Sequence, residues 1–150
     1  MINKYERGAI VAALCVVALF AFSLLYALGA KKNDVTECLP YDKSYEVARV
    51  NQIDKHTYQI FYVARMWSFE PALAYIPVGS EVDLFLTSQD VVHGFNIYEK
   101  NVNLMAVQGG VSKTTVKFTK PGVYKVTCHE YCGTGHQNMQ AEIIVNYPTK

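Results

Sequence analysis

VYKVTCHEYCGTGHQNMQAEIIV, from Val123 to Val145, is the stretch from which the fold can be read. In VYKVTC the residues Tyr124, Val126 and Cys128 fall on one side of an extended chain, while Lys125 and Thr127 fall on the other. That period of two marks a half-buried strand whose last inward residue is a thiol. AEIIV at the other end is short, apolar and rich in β-branched residues, so it also reads as a strand. Between them, Cys128 to Met139 packs two thiols, two imidazoles and a thioether into twelve residues. A loop held at both ends by strands is a rigid mount for such side chains.

This is a metal-site composition. Thiolate and thioether donors beside imidazole select copper or zinc and disfavour magnesium and calcium, which seek hard oxygen. A closed zinc tetrahedron from Cys128, Cys132, His136 and one distant His would leave Met139 without a role. A mononuclear blue-copper site needs a single thiolate and leaves the second Cys over. Two thiolates with two imidazoles suggest two coppers.

The spacing Cys-x-Glu-x-Cys-Gly-x-x-His-x-x-Met resembles the signature of the dinuclear copper A centre in subunit II of cytochrome c oxidases. Cys128, Glu130, Cys132, Gly133, His136 and Met139 fill every position of it, and SQDVVHGF puts His93 where that family has its upstream imidazole. The likeness runs from about Tyr58 onward. It implies a Greek-key cupredoxin fold and a metal set in which Cys128 and Cys132 bridge two coppers and His93 and His136 bind one each. The Met139 thioether and the Glu130 carbonyl would be weak further ligands. It also implies that electrons come from reduced cytochrome c and pass to a haem-bearing subunit I, where oxygen is reduced, so that no catalytic residue lies in this chain. The Glu130 carboxylate would suit a magnesium ion at the contact with subunit I.

Trp67-Ser68-Phe69-Glu70 resembles the family's Trp-Ser-Tyr-Glu beside the copper, which makes Trp67 a candidate for the electron-uptake path as well as a core aromatic. Asp90, three residues before His93, reads as a turn residue or as a carboxylate that orients the imidazole. Single-helix architecture together with GHQNM at 135–139 looks like the B-type (ba-type) oxidases. In those, a Tyr-Glu-Lys-Gly before the helix places its Glu at the inner mouth of a proton channel, the position Glu6 holds in Tyr5-Glu6-Arg7-Gly8. No Cys-x-x-Cys-His is present, so the chain does not tether its own c-type haem. Two other readings stay open: the copper subunit of a nitric oxide reductase, and a zinc- or copper-binding module without a redox partner.

Outward from the motif, 150 residues at 51% hydrophobic content exceed what one soluble core requires. The excess lies in Ala9 to Ala30, which carries no charge and as a helix would be ~33 Å long, enough to cross a bilayer. The run is too long for the apolar part of a signal peptide. Lys4 and Arg7 before it are matched by Lys31 and Lys32 after it, so positive charge does not orient it; the resemblance does, with the copper domain on the outer, periplasmic face of a prokaryotic inner membrane. Residues 1–30 are thus expected to form a single transmembrane helix, 31–44 a polar linker broken by Pro40, and 45–150 the domain. Strands are expected at 45–53, 58–66, 81–88, 93–98, 102–107, 113–119, 123–128 and 141–146, separated by Pro and Gly turns.

Cys15 within the helix reads as a small apolar residue, and Cys38, eight residues past the apolar run, as a thiol with no partner. His56 in the turn DKHT reads as surface. His129 matches no family ligand position and reads as exposed or hydrogen-bonded. Residues 31–150 carry 12 Lys and Arg against 12 Asp and Glu. That balance gives no field to attract nucleic acid, and none is expected as a partner; it also predicts donor docking that depends weakly on salt.

Overall fold

The computed structural model describes residues 3–31, 37–39 and 45–147. Chain contacts divide it into two compact units, Met1–Asp34 and Val35–Lys150. The first is one α-helix, α1 (Lys4–Lys31), of 28 residues. Its core is uncharged and its apolar side chains, among them Val11, Leu14, Phe20 and Leu25, are exposed within the chain. By length and composition it can cross a membrane. Its start is capped locally: the Tyr5 amide donates to Asn3 Oδ1 and the Asn3 amide to the Glu6 carboxylate, each at 2.7 Å. This is the reciprocal box that satisfies donors the first turn leaves free.

Among its described residues the second unit is a β structure of eleven strands: β1 (Glu37–Leu39), β2 (Arg49–Gln52), β3 (Thr57–Arg65), β4 (Ser68–Glu70), β5 (Leu73–Pro77), β6 (Glu81–Ser88), β7 (His93–Ile97), β8 (Val102–Ala106), β9 (Val111–Lys117), β10 (Gly122–Thr127) and β11 (Gln140–Asn146). One sheet runs β1-β9-β6-β3-β2 with β4 on the end of β3, and the other runs β5-β11-β10-β7-β8. β3 pairs parallel with β6 and β5 parallel with β11, while the other strand pairs are antiparallel. These parallel pairs tie together strands that are not joined by hairpins.

Alternation decides the packing. Tyr124 and Val126 on β10 and Ala141, Ile143 and Val145 on β11 are buried between the sheets, with Lys125 and Val123 outside. Ile60, Tyr62, Phe69, Leu84, Leu86, Phe95, Ile97 and Phe118 complete a core in which each large side chain contributes ~1.5–3 kcal/mol by leaving water. Cys132 and Met139 belong to this same cluster, with Cys128 packed against it, so the thiols lie at the end of the core.

Eight strands stand where the alternation put them, with ends shifted by a few residues; the longest trim is 45–53, of which only Arg49–Gln52 is strand. β4 and β5 were not anticipated. Residues 37–39, within the stretch read as linker, pair with Lys113, Ser112 and Val111 as an edge strand, which sets the Cys38 backbone opposite Ser112. The remainder of 32–44 lies outside the described residues.

Candidate metal centre

β10 and β11 are neighbours in register from Gly122↔Val145 to Thr127↔Gln140, so the residues between them form a loop closed at its base. There the Cys128 amide donates to the Met139 carbonyl at 3.2 Å. A short 3-10 turn, His136–Asn138, carries the loop back down. β7 lies on the other side of β10, with Asn96 opposite Thr127, and being antiparallel it delivers its first residue, His93, beside the loop.

The donors converge. Cys128 Sγ is 3.8 Å from Cys132 Sγ, and Cys132 Sγ is 3.7 Å from both His136 Nδ1 and Met139 Sδ. The ligand atoms of His93, Cys128 and Cys132 lie within 4.8 Å of one another. The Glu130 carbonyl is 3.3 Å from Cys128 Sγ, while the Glu130 carboxylate turns away and meets His129 Nδ1 at 3.5 Å. The six candidate ligands, His93, Cys128, Glu130, Cys132, His136 and Met139, are therefore in one place.

His93 is fully buried. Its Nε2 lies 2.7 Å from Asp90 Oδ1, and its Nδ1 is a buried nitrogen without a hydrogen-bond partner among the described residues. A carboxylate on Nε2 fixes the tautomer with the proton there and leaves Nδ1 with a free lone pair. An unpaired buried acceptor costs free energy unless something occupies it, and the nearby sulfurs show what would. Burial, followed by the neighbouring Cys128 thiol, pushes the Cys132 thiol up to about 11. With two thiols and two imidazoles facing each other, the donor set fits soft metal and requires it to displace protons.

Asp90 does more than face His93. Its Oδ2 accepts the Met66 amide at 2.6 Å and its Oδ1 the Val91 amide at 2.7 Å. Burial raises its carboxyl, but the bonds from His93, Met66 and Val91 outweigh this and hold it below its ordinary value. Trp67 is half-exposed at the same end, and its indole N–H donates to the Cys132 carbonyl at 3.2 Å. His129, read from the sequence as exposed or hydrogen-bonded, also has a packing role: its ring lies on Gly94, where a side-chain carbon would come within 2.6 Å of it. His56 is on the surface. Glu6 belongs to α1, in the other unit.

Sequence reading passed over Gly94 and Gly135, each adjacent to a candidate imidazole ligand. The available signal was that adjacency, and for Gly94 also its place inside an apolar run where no turn demands glycine.

A two-sheet Greek-key sandwich with two thiols, two imidazoles and a thioether on and beside one inter-strand loop is a cupredoxin-like domain whose donors could hold a soft metal. Residues 44–146 match the family described as cytochrome c oxidase subunit II, periplasmic domain. The chain is 30% identical to a cytochrome c oxidase subunit 2 of Thermus thermophilus, over 96% of this chain and 93% of that protein. A second Thermus thermophilus sequence of that name is 36% identical over 64% of this chain and 71% of its own length. Among solved structures, a chain of a heme-copper terminal oxidase dimer superposes with a TM-score of 0.82 at 39% identity, covering 95% of this chain and all of that one. The periplasmic domain of subunit II of the Bradyrhizobium japonicum cytochrome oxidase, 22% identical with a TM-score of 0.56 over 59% of this chain and 83% of its own, shares the fold. The chain belongs to the cytochrome c oxidase subunit II family, whose periplasmic domain implies a copper A site.

Proposed function

We propose that this chain is the electron-accepting, non-catalytic subunit II of a B-type haem-copper oxidase. Cys128, Cys132, His93 and His136 would hold a pair of coppers as the principal donors, with Met139 Sδ and the Glu130 carbonyl as weaker ones. The observation that carries the reading is the convergence of these six donors at one end of the sandwich, with His93 Nδ1 left without a hydrogen-bond partner among the described residues. When bound, such a copper pair supplies a carrier for single electrons.

The protein's own part is to keep the donors still. β10, β11 and β7 hold the backbone on both sides of the site, and Asp90 holds the His93 ring. A shell that hardly moves between redox states keeps electron transfer fast. Around the site Met66, Trp67, Val91, Val92 and Tyr131 are exposed, an apolar surface suited to a cytochrome c donor, with Trp67 on the uptake path. Electrons leave to haem in subunit I, where oxygen is reduced to water. The Glu130 carboxylate, 48% exposed, offers hard oxygen for magnesium at the boundary with that subunit.

Residues 1–30 anchor the chain in lipid of a prokaryotic inner membrane and 45–150 form the periplasmic domain, to whose sheet residues 37–39 of the intervening stretch add an edge strand, a partition supported by the apolar helix and the matched range. Glu6, at the inner end, supplies protons to the channel of subunit I.

The test is copper reconstitution of the full chain in detergent. The expected product is purple and holds about two coppers per chain. A colourless protein holding one zinc and refusing copper would overturn the reading.

A further inference from the structure

Two of the ligand-bearing segments, the loop before His93 and the loop from Cys132 to His136, are touched by one short turn that comes from elsewhere. β3 and β4 form a hairpin, Arg65 opposite Ser68, whose turn is Met66-Trp67. On one side the Met66 amide donates to Asp90 Oδ2 at 2.6 Å, and the other oxygen of that carboxylate holds His93 Nε2 at 2.7 Å. On the other side Trp67 Nε1 donates to the Cys132 carbonyl at 3.2 Å. The turn is itself braced by Arg65 and Glu70, which face each other at 3.4 Å.

Packing repeats what the hydrogen bonds say. A side-chain carbon on Gly133 would come within 3.0 Å of the indole, and one on Gly135 would run into the ring. Gly133 has φ +117°, so its backbone alone calls for glycine. Gly135 has φ −93° and ψ 4°, which other residues adopt, so its backbone does not require glycine. What requires it is the ring of Trp67, lying flat on the residue that precedes His136. Trp67 is nonetheless 42% exposed, which leaves it within reach of a donor.

We propose that the Met66-Trp67 turn is a clamp that sets the spacing between the His93 and the Cys132–His136 ligand segments, with Trp67 as a positioning residue and Gly135 as its seat. This rests on the copper reading above. Tryptophan is suited to the position because it combines a flat face for glycine with a ring N–H long enough to reach the carbonyl. Phenylalanine keeps the face and loses the bond; alanine loses both. Gly135→Ala leaves the indole in the chain but denies it the seat.

The experiment compares the parent full chain with Trp67→Phe, Trp67→Ala and Gly135→Ala, all loaded with copper in detergent. The readouts are copper affinity by chelator competition, the absorption and electron paramagnetic resonance spectra, and the rate of reduction by a soluble donor. Loss of support behind metal ligands typically weakens binding about 10- to 100-fold. Trp67→Ala and Gly135→Ala should fall in that range with altered hyperfine splitting, and Trp67→Phe should show a smaller change in the same sense. If all three keep the parent's affinity and spectra, the clamp is refuted, and a fall in the donor rate alone would assign Trp67 to electron uptake only. A parent that takes up no copper would sink the metal reading itself, which separates the two failures. Trp67→Phe keeps an aromatic ring, smaller than the indole, at the position and gives the answer even where the alanine variants do not fold.

Discussion

Asp90→Ala strips the His93 ring, the Val91 amide and the Met66 amide of their acceptor at once, and with them the longer contact from the Ser88 hydroxyl at 3.3 Å. The consequences separate into two measurable parts. Removing the carboxylate behind a metal-bound imidazole lowers metal affinity about 10- to 100-fold, equivalent to ~1.4–2.7 kcal/mol. In the metal-free chain, hydrogen bonds to a charged acceptor contribute ~1.5–3 kcal/mol each. The Asp90 side chain is 26% exposed, so water replaces part of what is lost; a net destabilisation of ~1–3 kcal/mol follows. Asp90→Asn keeps one acceptor oxygen but turns an amide toward a donor, and should fall between parent and alanine. The assay is chelator competition for copper on the full chain, paired with urea unfolding of the metal-free form. Parent-like copper affinity in Asp90→Ala would refute the orienting role, and a loss of stability without a loss of affinity would reduce Asp90 to a turn cap.

The Tyr62 hydroxyl is buried in the core with no hydrogen-bond partner among the described residues. Tyr62→Phe removes that burden without opening a cavity, so unfolding should require ~0.5–2 kcal/mol more, visible as a melting point a few degrees higher; a lower melting point would reveal a hidden partner. The Cys132 thiol titrates at about 11 when folded, above its ordinary value of 9.0. The folded chain therefore holds this proton more tightly than the unfolded one, and metal-free stability should fall as pH rises from about 9 to about 11, as read by urea midpoints, while the copper form shows no such loss. Asp90 runs the opposite way: its lowered folded value means its contribution is present above about pH 4 and disappears as the solution becomes more acid, so removing it with Asp90→Ala should flatten that acid limb. Glu6→Gln keeps an acceptor for the Asn3 amide but cannot carry a proton. In the assembled oxidase it should slow steady-state oxygen consumption several-fold with copper content and the rate of electron uptake unchanged, whereas parent-rate turnover would leave Glu6 as a helix cap.

Much of this molecule is local in its sequence. The ligand loop is one uninterrupted stretch, Cys128 to Met139, and its spacing alone names a metal chemistry. The strands that hold it alternate inward and outward residues, and the helix is announced by twenty-two uncharged residues from Ala9 to Ala30. Such features are legible because the physics that makes them, side-chain period and the cost of charge in lipid, acts between near neighbours. β4 and β5 escaped because three to five residues around Pro71 carry little alternation, and because β5 pairs in parallel with β11, far along the chain. The same is true of residues 37–39, set in a stretch that reads as polar and without period, and a strand only because β9 offers an edge.

What holds the site together was decided by the tertiary structure alone. Trp67 and Cys132 are 65 positions apart, and Met66 and Asp90 are 24 apart. No periodicity links them, and the glycine at 135 looks like loop chemistry until the indole is seen lying on it. Ligand identity is a matter of which side chains are present, which a sequence states. Their spacing is a matter of which distant turn packs against them, and that exists only once the two sheets have closed over a common core.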